Sequence, residues 1–217
     1  MSVINLTQWQ ARPGRIAETM ANVVTAKRIF EGLGAKVRVY QPLVAGPNTS
    51  NLSFRMEFDT MSSYAKWATA VQANAEWLAL QQTAINSAEP AATMVANNLS
   101  VTIPGLETSG AAAKGDGPGV VTASIVQVLP GKQPDAVAGL KELAPIVTKL
   151  GGRFSARTIT VGGPTTGQIA IVVEADDLAM WGSVMDKLPA NPAFQAWQAK
   201  APSFMTLVSR VVLVQVL

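Results

Sequence analysis

The sequence predicts an α+β protein made of two copies of one β-α-β-β-α(α)-β unit, arranged sheet to sheet. Three observations lead there. Turn and boundary residues recur at one spacing: Pro13-Gly14 as Pro130-Gly131, Leu33-Gly34 as Leu150-Gly151, Gly46-Pro47 as Gly163-Pro164, Glu57 as Glu174, Asp59 as Asp176 and Asn74 as Asn191, every pair 117 positions apart. Such residues carry backbone roles that are hard to substitute, so a constant spacing without insertions points to duplication. Strand-period and helix-period segments follow each other in the same order in both halves. Residues 104–119, rich in Gly, Ala and Pro and without periodicity, separate the halves and read as a flexible linker.

The first half runs as follows. Residues 3–10 read as a strand, Ala11 to Gly14 as a turn, and residues 15–33 as a helix with apolar positions at Ile16, Met20, Val23, Val24, Ile29 and Phe30. Gly34 stands where a helix-terminating glycine belongs. Residues 35–44 form a second strand, whose Pro42 puts its end at an edge or bulge. Ala45 to Ser50, with Gly46-Pro47-Asn48, is a hairpin loop. Residues 51–58 alternate strictly, with Leu52, Phe54, Met56 and Phe58 on one face and Ser53, Arg55 and Glu57 on the other. Asp59 is the expected N-cap of a helix reaching Ala73, Asn74 introduces another reaching Ile85, and residues 94–103 close the unit.

The second half repeats this with strand 120–128, helix 133–150, strands 152–161 and 167–175, helices 177–187 and 192–200, and strand 205–216. The first half carries roughly five extra residues near Ser87 to Ala91. The boundaries are therefore residues 1–103, linker 104–119 and residues 120–217, each half large enough for its own core. A four-stranded sheet with helices on one face leaves its other face bare. Two fused copies can cover each other.

Composition narrows the chemistry. Hydrophobic residues make up 48% and charged residues 14%. That excludes disorder and suggests surface buried between halves or between chains, so a homo-oligomer is open. Each half has eight Lys and Arg against six Asp and Glu, with no basic run longer than Lys27-Arg28, which argues against nucleic acid. With neither Cys nor His, thiolate catalysis, Ser-His-Asp arrangements and imidazole or thiolate metal sites are excluded within one chain, and no metal or cofactor is expected. No secretory signal or transmembrane stretch is legible, so the sequence reads as a cytoplasmic protein with no membrane partner.

The element order resembles the ferredoxin-like unit. The early strand, the Pro-Gly turn, the long helix ending in Leu-Gly, the Gly-Pro hairpin and the Asn-aromatic continuations (Asn74 with Trp77, Asn191 with Phe194) resemble the dimeric α/β-barrel superfamily over nearly the whole chain. Antibiotic-biosynthesis monooxygenase-like, stress-responsive barrel and NIPSNAP-like proteins belong to it. Those families usually build the barrel from two chains. The resemblance implies a fused, pseudo-dimeric barrel here. Haem-degrading members depend on a histidine that this chain lacks.

Two sets of residues are candidates for a site. Arg55 and Glu57 share one strand face, as do Arg38 and Tyr40 on the neighbouring strand; Arg157 and Glu174 occupy equivalent places in the second half. This polar face is either a pocket orienting an anionic or carbonyl ligand or an inter-repeat ion-pair network, since unpaired buried charge is costly. Asn5 and Trp9 share a face of the first strand. They form the second candidate, because cofactor-free oxygenases of the superfamily surround substrate with Trp, Asn, Tyr or Arg. Aromatics at such spacings otherwise form core. Gly162 to Gly167 joins two strands, not a strand to a helix, and so reads as a hairpin, not a phosphate loop.

Three functions stay open: binding of a small apolar molecule or a structural role; a cofactor-independent monooxygenase or isomerase acting on a hydrophobic substrate; and an assembly subunit. An internal cavity of about 300 Å³ or more favours the first two, and an exposed apolar patch the third.

Overall fold

The computed structural model describes residues 2–46, 49–111, 113 and 117–217. Pro47 and Asn48 of the expected hairpin, and Ala112, Lys114, Gly115 and Asp116 of the expected linker, lie outside the described residues. Fourteen strands and helices follow in order: β1 Val3–Ala11, α1 Ile16–Gly32, β2 Lys36–Val44, β3 Asn51–Phe58, α2 Met61–Ala73, α3 Ala75–Asn86, β4 Ala92–Thr102, β5 Val120–Val128, α4 Gln133–Lys149, β6 Arg153–Val161, β7 Ile169–Ala175, α5 Leu178–Lys187, α6 Pro192–Lys200 and β8 Met205–Gln215.

The strands close into one antiparallel barrel in the order β1-β3-β2-β8-β5-β7-β6-β4. The first half supplies β4-β1-β3-β2 and the second β8-β5-β7-β6. They are joined at two seams, β2 against β8 and β4 against β6. Closure pairs the strand edges that two separate sheets would leave open. Pro42 sits at the irregularity in the β2–β8 seam, the kind of position where a strand tolerates proline.

Local geometry repeats with the sequence. Gly34 and Gly151, just beyond α1 and α4, both take left-handed φ, 94° and 99°, a conformation that costs a side chain more than it costs glycine. Asn74 and Asn191 adopt nearly the same backbone angles, and their side chains accept from the N–H groups of Trp77 and Phe194. Before α2 the expectation was different. Thr60, not Asp59, is the N-cap, because its hydroxyl and that of Ser63 reciprocally satisfy each other's backbone N–H groups in a capping box.

Strand alternation sorts side chains into two layers. Outward from β2 and β3, Val37, Val39, Leu52, Phe54, Met56 and Phe58 pack under the first-half helices together with Phe30 and Trp67. Outward from β5, β6 and β7, Val126, Phe154, Ala156, Ile169 and Ile171 pack under α4 with Leu140, Leu143 and Val147. The inward faces line the barrel. Among the described residues, no helix is long and apolar enough to cross a membrane.

The segment expected as a flexible linker is tied down over its first part. Ile103 N donates to Ala156 O, Ala156 N to Leu106 O, and Ser109 and Phe154 exchange both backbone bonds, at 2.9–3.1 Å. Leu106 is buried in the core under α4. One apolar side chain inserted into the second core, with a ladder bond on each side of it, outweighs the freedom that composition alone implies. Leu106→Ala should therefore cost about 2–5 kcal/mol of folding stability in urea denaturation; a change under about 0.5 kcal/mol would mean that the segment is not anchored.

Candidate functional site in the barrel interior

The inward positions carry the chain's buried charge. On β2 and β3, Arg38 lies beside Arg55, Tyr40 beside Ser53 and Lys36 beside Glu57. On β6 and β7, Arg153 lies beside Glu174, Ser155 beside Val172 and Arg157 beside Ala170. The strict alternation of β3, with Leu52, Phe54, Met56 and Phe58 turned to the helices, is what sends Ser53, Arg55 and Glu57 inward.

Two glutamates and one arginine link the halves. Arg55 Nη1 donates to Glu174 Oε1 at 2.7 Å, and Arg55 Nε lies 3.0 Å from Glu57 Oε1. Arg38 also pairs with Glu57. Arg153 Nη1 donates to Asp176 Oδ1 at 2.6 Å, and its Nε lies 3.8 Å from Glu174 Oε2. Burial lowers the affinity of Arg55 for its proton, but Glu174 and Glu57 more than offset that and hold it firmly protonated. Burial pushes the Glu174 carboxyl up, yet the charge and hydrogen bond of Arg55, with Arg157 and Arg153, pull it below its ordinary value.

Arg157 stands apart in this network. It is 5% exposed and forms no ion pair with any described residue. Its Nη2 donates to Ser155 Oγ at 3.4 Å, and its Nε has no partner. Burial, then the charge of Arg55, depress its pKa to about 9. The hydroxyls of Tyr40 and Ser53, both on the inner face, are also buried without a partner. Burial raises the Tyr40 hydroxyl above its ordinary pKa, against the pull of Arg55 and Arg38.

Beside this polar side is an apolar wall, in which Tyr40 packs with Val121, Val172 and Leu213, and Val211 lies against them. Water reaches parts of the inner face. Leu6, Ala123, Ile125 and Ala170, register neighbours of Arg55, Val172, Ala170 and Ile125, are only half-buried. An eight-stranded barrel is of the size that side chains fill or that holds one small ligand. At one end a pocket of about 670 Å³ is bordered by Lys27, Lys36, Arg38, Gly117 and Gln215. Gly117 lies flat on Arg38; a Cβ there would sit 2.1 Å from Nε. Arg38 thus borders both this pocket and the inner network.

The structure brings together Arg38, Tyr40, Arg55, Glu57, Arg157 and Glu174, and separates Asn5 and Trp9 from them. Asn5 is paired in register with Met56, and Trp9 with Leu52, so both face outward. Asn5 Nδ2 donates to Asn97 Oδ1 at 2.7 Å, and Trp9 packs on the first-half core. Other first-half aromatics fill that layer: Trp67 lies 5.3 Å from Phe30 and 5.1 Å from Phe58, and Trp77 lies 4.8 Å from Phe30, between ring centroids. Sequence reasoning put Ser53 on this face without naming it a candidate, and missed Arg153 and Asp176 as site residues. Arg153 was legible in principle, because it stands 117 positions after the basic Lys36 on the same strand face.

No protein-family description and no curated protein sequence matches the chain. Solved structures do resemble it. A candidate monooxygenase from Fusobacterium nucleatum subsp. nucleatum superposes with a TM-score of 0.64 at 7% identity, over 99% of this chain and 92% of that one. An anthrone oxidase-like protein gives 0.60 at 10% identity, over 100% and 91%. A chlorite dismutase variant from Candidatus Nitrospira defluvii gives 0.60 at 11%, over 100% and 92%. At such identities the likeness is one of fold.

Proposed function

We propose that the chain is a tandem-duplicated, pseudo-dimeric α/β barrel that binds a small molecule inside the barrel. Its repeats are residues 1–103 and 120–217, joined by 104–119. The observation that carries this reading is the inner face itself. Tyr40 and Ser53 hydroxyls and Arg157 Nε are buried and unpartnered beside a wall of Val121, Val172 and Leu213. Buried polar groups in folded proteins are normally satisfied, and an apolar wall with a few convergent polar groups describes a ligand site. The expected ligand has an apolar body and a polar end.

Native mass spectrometry of the chain purified from its own source tests this. The expected result is a mass excess that leaves on denaturation. A bare mass, together with no response in a thermal-shift screen of small amphiphiles, would overturn it.

A second reading is a cofactor-independent monooxygenase. The shared architecture favours it, with candidate monooxygenases and an anthrone oxidase-like protein among the similar structures, as does the Tyr40 phenol at the junction of apolar wall and arginines. One dioxygen would convert a substrate methylene to a carbonyl and one water, the substrate supplying all the electrons. Dioxygen uptake with an anthrone as probe, lost in Tyr40→Phe, is the expected result; uptake no faster than without protein removes this reading.

A further inference from the structure

Among the described residues, and leaving aside the exposed Lys36, four guanidiniums, of Arg38, Arg55, Arg153 and Arg157, meet three carboxylates, of Glu57, Glu174 and Asp176. The carboxylates are engaged by Arg38, Arg55 and Arg153, which leaves Arg157. A guanidinium does not give up its proton near neutral pH, and a buried charge without a partner is expensive. No described residue facing Arg157 supplies the missing charge. Its register neighbours are Ala170 on β7 and Thr102 on β4, and Ser155 is next on its own strand face. Across the barrel Arg55 repels it, while Glu57 and Glu174 act only from a distance.

These neighbours are also small. Ser155, Ala170 and Thr102 put no bulky side chain beside the guanidinium, and Ala170 is partly reached by water. A planar fork of N–H donors matches a planar oxyanion. Val172, the register partner of Ser155, leads from there to the wall of Val121 and Leu213. The unpaired Arg157 guanidinium calls for one negative charge, and Glu57 and Glu174 disfavour a second.

We propose that Arg157 anchors a monocarboxylate whose apolar body lies against Val121, Val172 and Leu213. This rests on the reading of the barrel interior as the ligand chamber. The test uses hexanoate, its neutral counterpart hexanamide, and chloride as probes of the full chain, followed by calorimetry and melting temperature. Hexanoate is expected to bind and raise the melting temperature. Hexanamide should bind at least about tenfold more weakly, as should hexanoate to Arg157→Gln, because a hydrogen-bonded charge is lost in each case. Arg157→Lys should fall between, since a point charge lacks the fork.

Ser155→Asp guards against a variant that fails to fold. It places a carboxylate where Arg157 already reaches, so it should melt higher than the parent in ligand-free buffer and no longer bind hexanoate. If neither hexanoate nor hexanamide binds, the chamber reading fails, and this proposal with it. If both bind alike and Arg157→Gln binds as the parent does, the chamber stands and Arg157 is not the anchor. If chloride protects as well as hexanoate and the alkyl chain adds nothing, the site holds a small inorganic ion and the carboxylate proposal is overturned.

Discussion

Glu174→Gln should destabilise the fold by about 3–5 kcal/mol, the usual consequence of removing one partner from a buried ion pair. Glu174 is 4% exposed and accepts from Arg55 across the two halves at 2.7 Å. Its loss leaves Arg55 with Glu57 alone, Arg153 with Asp176 alone, and Arg157 deprived of distant attraction. Glu57→Gln should cost less, because the Glu57 side chain is 23% exposed and water can replace part of what it provides. Glu107→Gln, on the surface, should stay within about 0.5 kcal/mol of the parent. Urea denaturation of the three variants decides; equal midpoints would show that the glutamates brace nothing.

The same carboxylate sets an acid limb. Its folded pKa lies below its ordinary value, so the unfolded chain takes up that proton first as pH falls. The stability Glu174 contributes is complete above the ordinary carboxylate range, near about 4.3, and is lost as pH drops through the lower folded value. Between those limits the stability of Glu174→Gln should fall less steeply with pH than that of the parent. Parallel acid limbs would contradict the assignment.

Phe154→Ala should also cost about 3–5 kcal/mol. The Phe154 ring is fully buried near the start of β6, under α4 with Leu140 and Val147, and its backbone holds Ser109 of the crossing segment. Removing the ring opens a void that the close-packed helix–sheet layer cannot collapse into. The equivalent position in the first half is Val37, in the core under the first-half helices. Val37→Ala removes two carbons and should cost about 1–2 kcal/mol. Denaturation midpoints measure both; if Phe154→Ala costs no more than Val37→Ala, the two layers are not packed as described.

Element boundaries were legible because they are written in local spacing. β3 runs over Asn51–Phe58, where alternation is strict, and Asn74 and Asn191 begin helices because their side chains satisfy backbone groups within a few residues. The cap before α2 was misplaced by one residue because Asp59 and Thr60 are both capable caps, and only the reciprocal bond of Ser63 chooses between them. The linker's anchorage was not legible at all. Leu106 looks like any loop residue until α4 and β6 are present to receive it.

By itself the sequence determined the recurrence of turn and boundary residues at one spacing, the order of elements in each half, and which polar residues share a strand face. All of these follow from spacing along the chain, whose periods of about 3.6 and 2 residues are properties of the backbone. Tertiary structure alone decided which faces meet. It placed Asn5 and Trp9 outside the barrel and Arg38, Tyr40, Arg55, Glu57, Arg157 and Glu174 inside it. It joined Arg55 to Glu174 across 119 residues, gave Glu57 two arginines, and left Arg157 without a carboxylate. Pairing of buried charges depends on distances of a few ångströms between strands far apart in sequence, and those distances exist only once the barrel has closed.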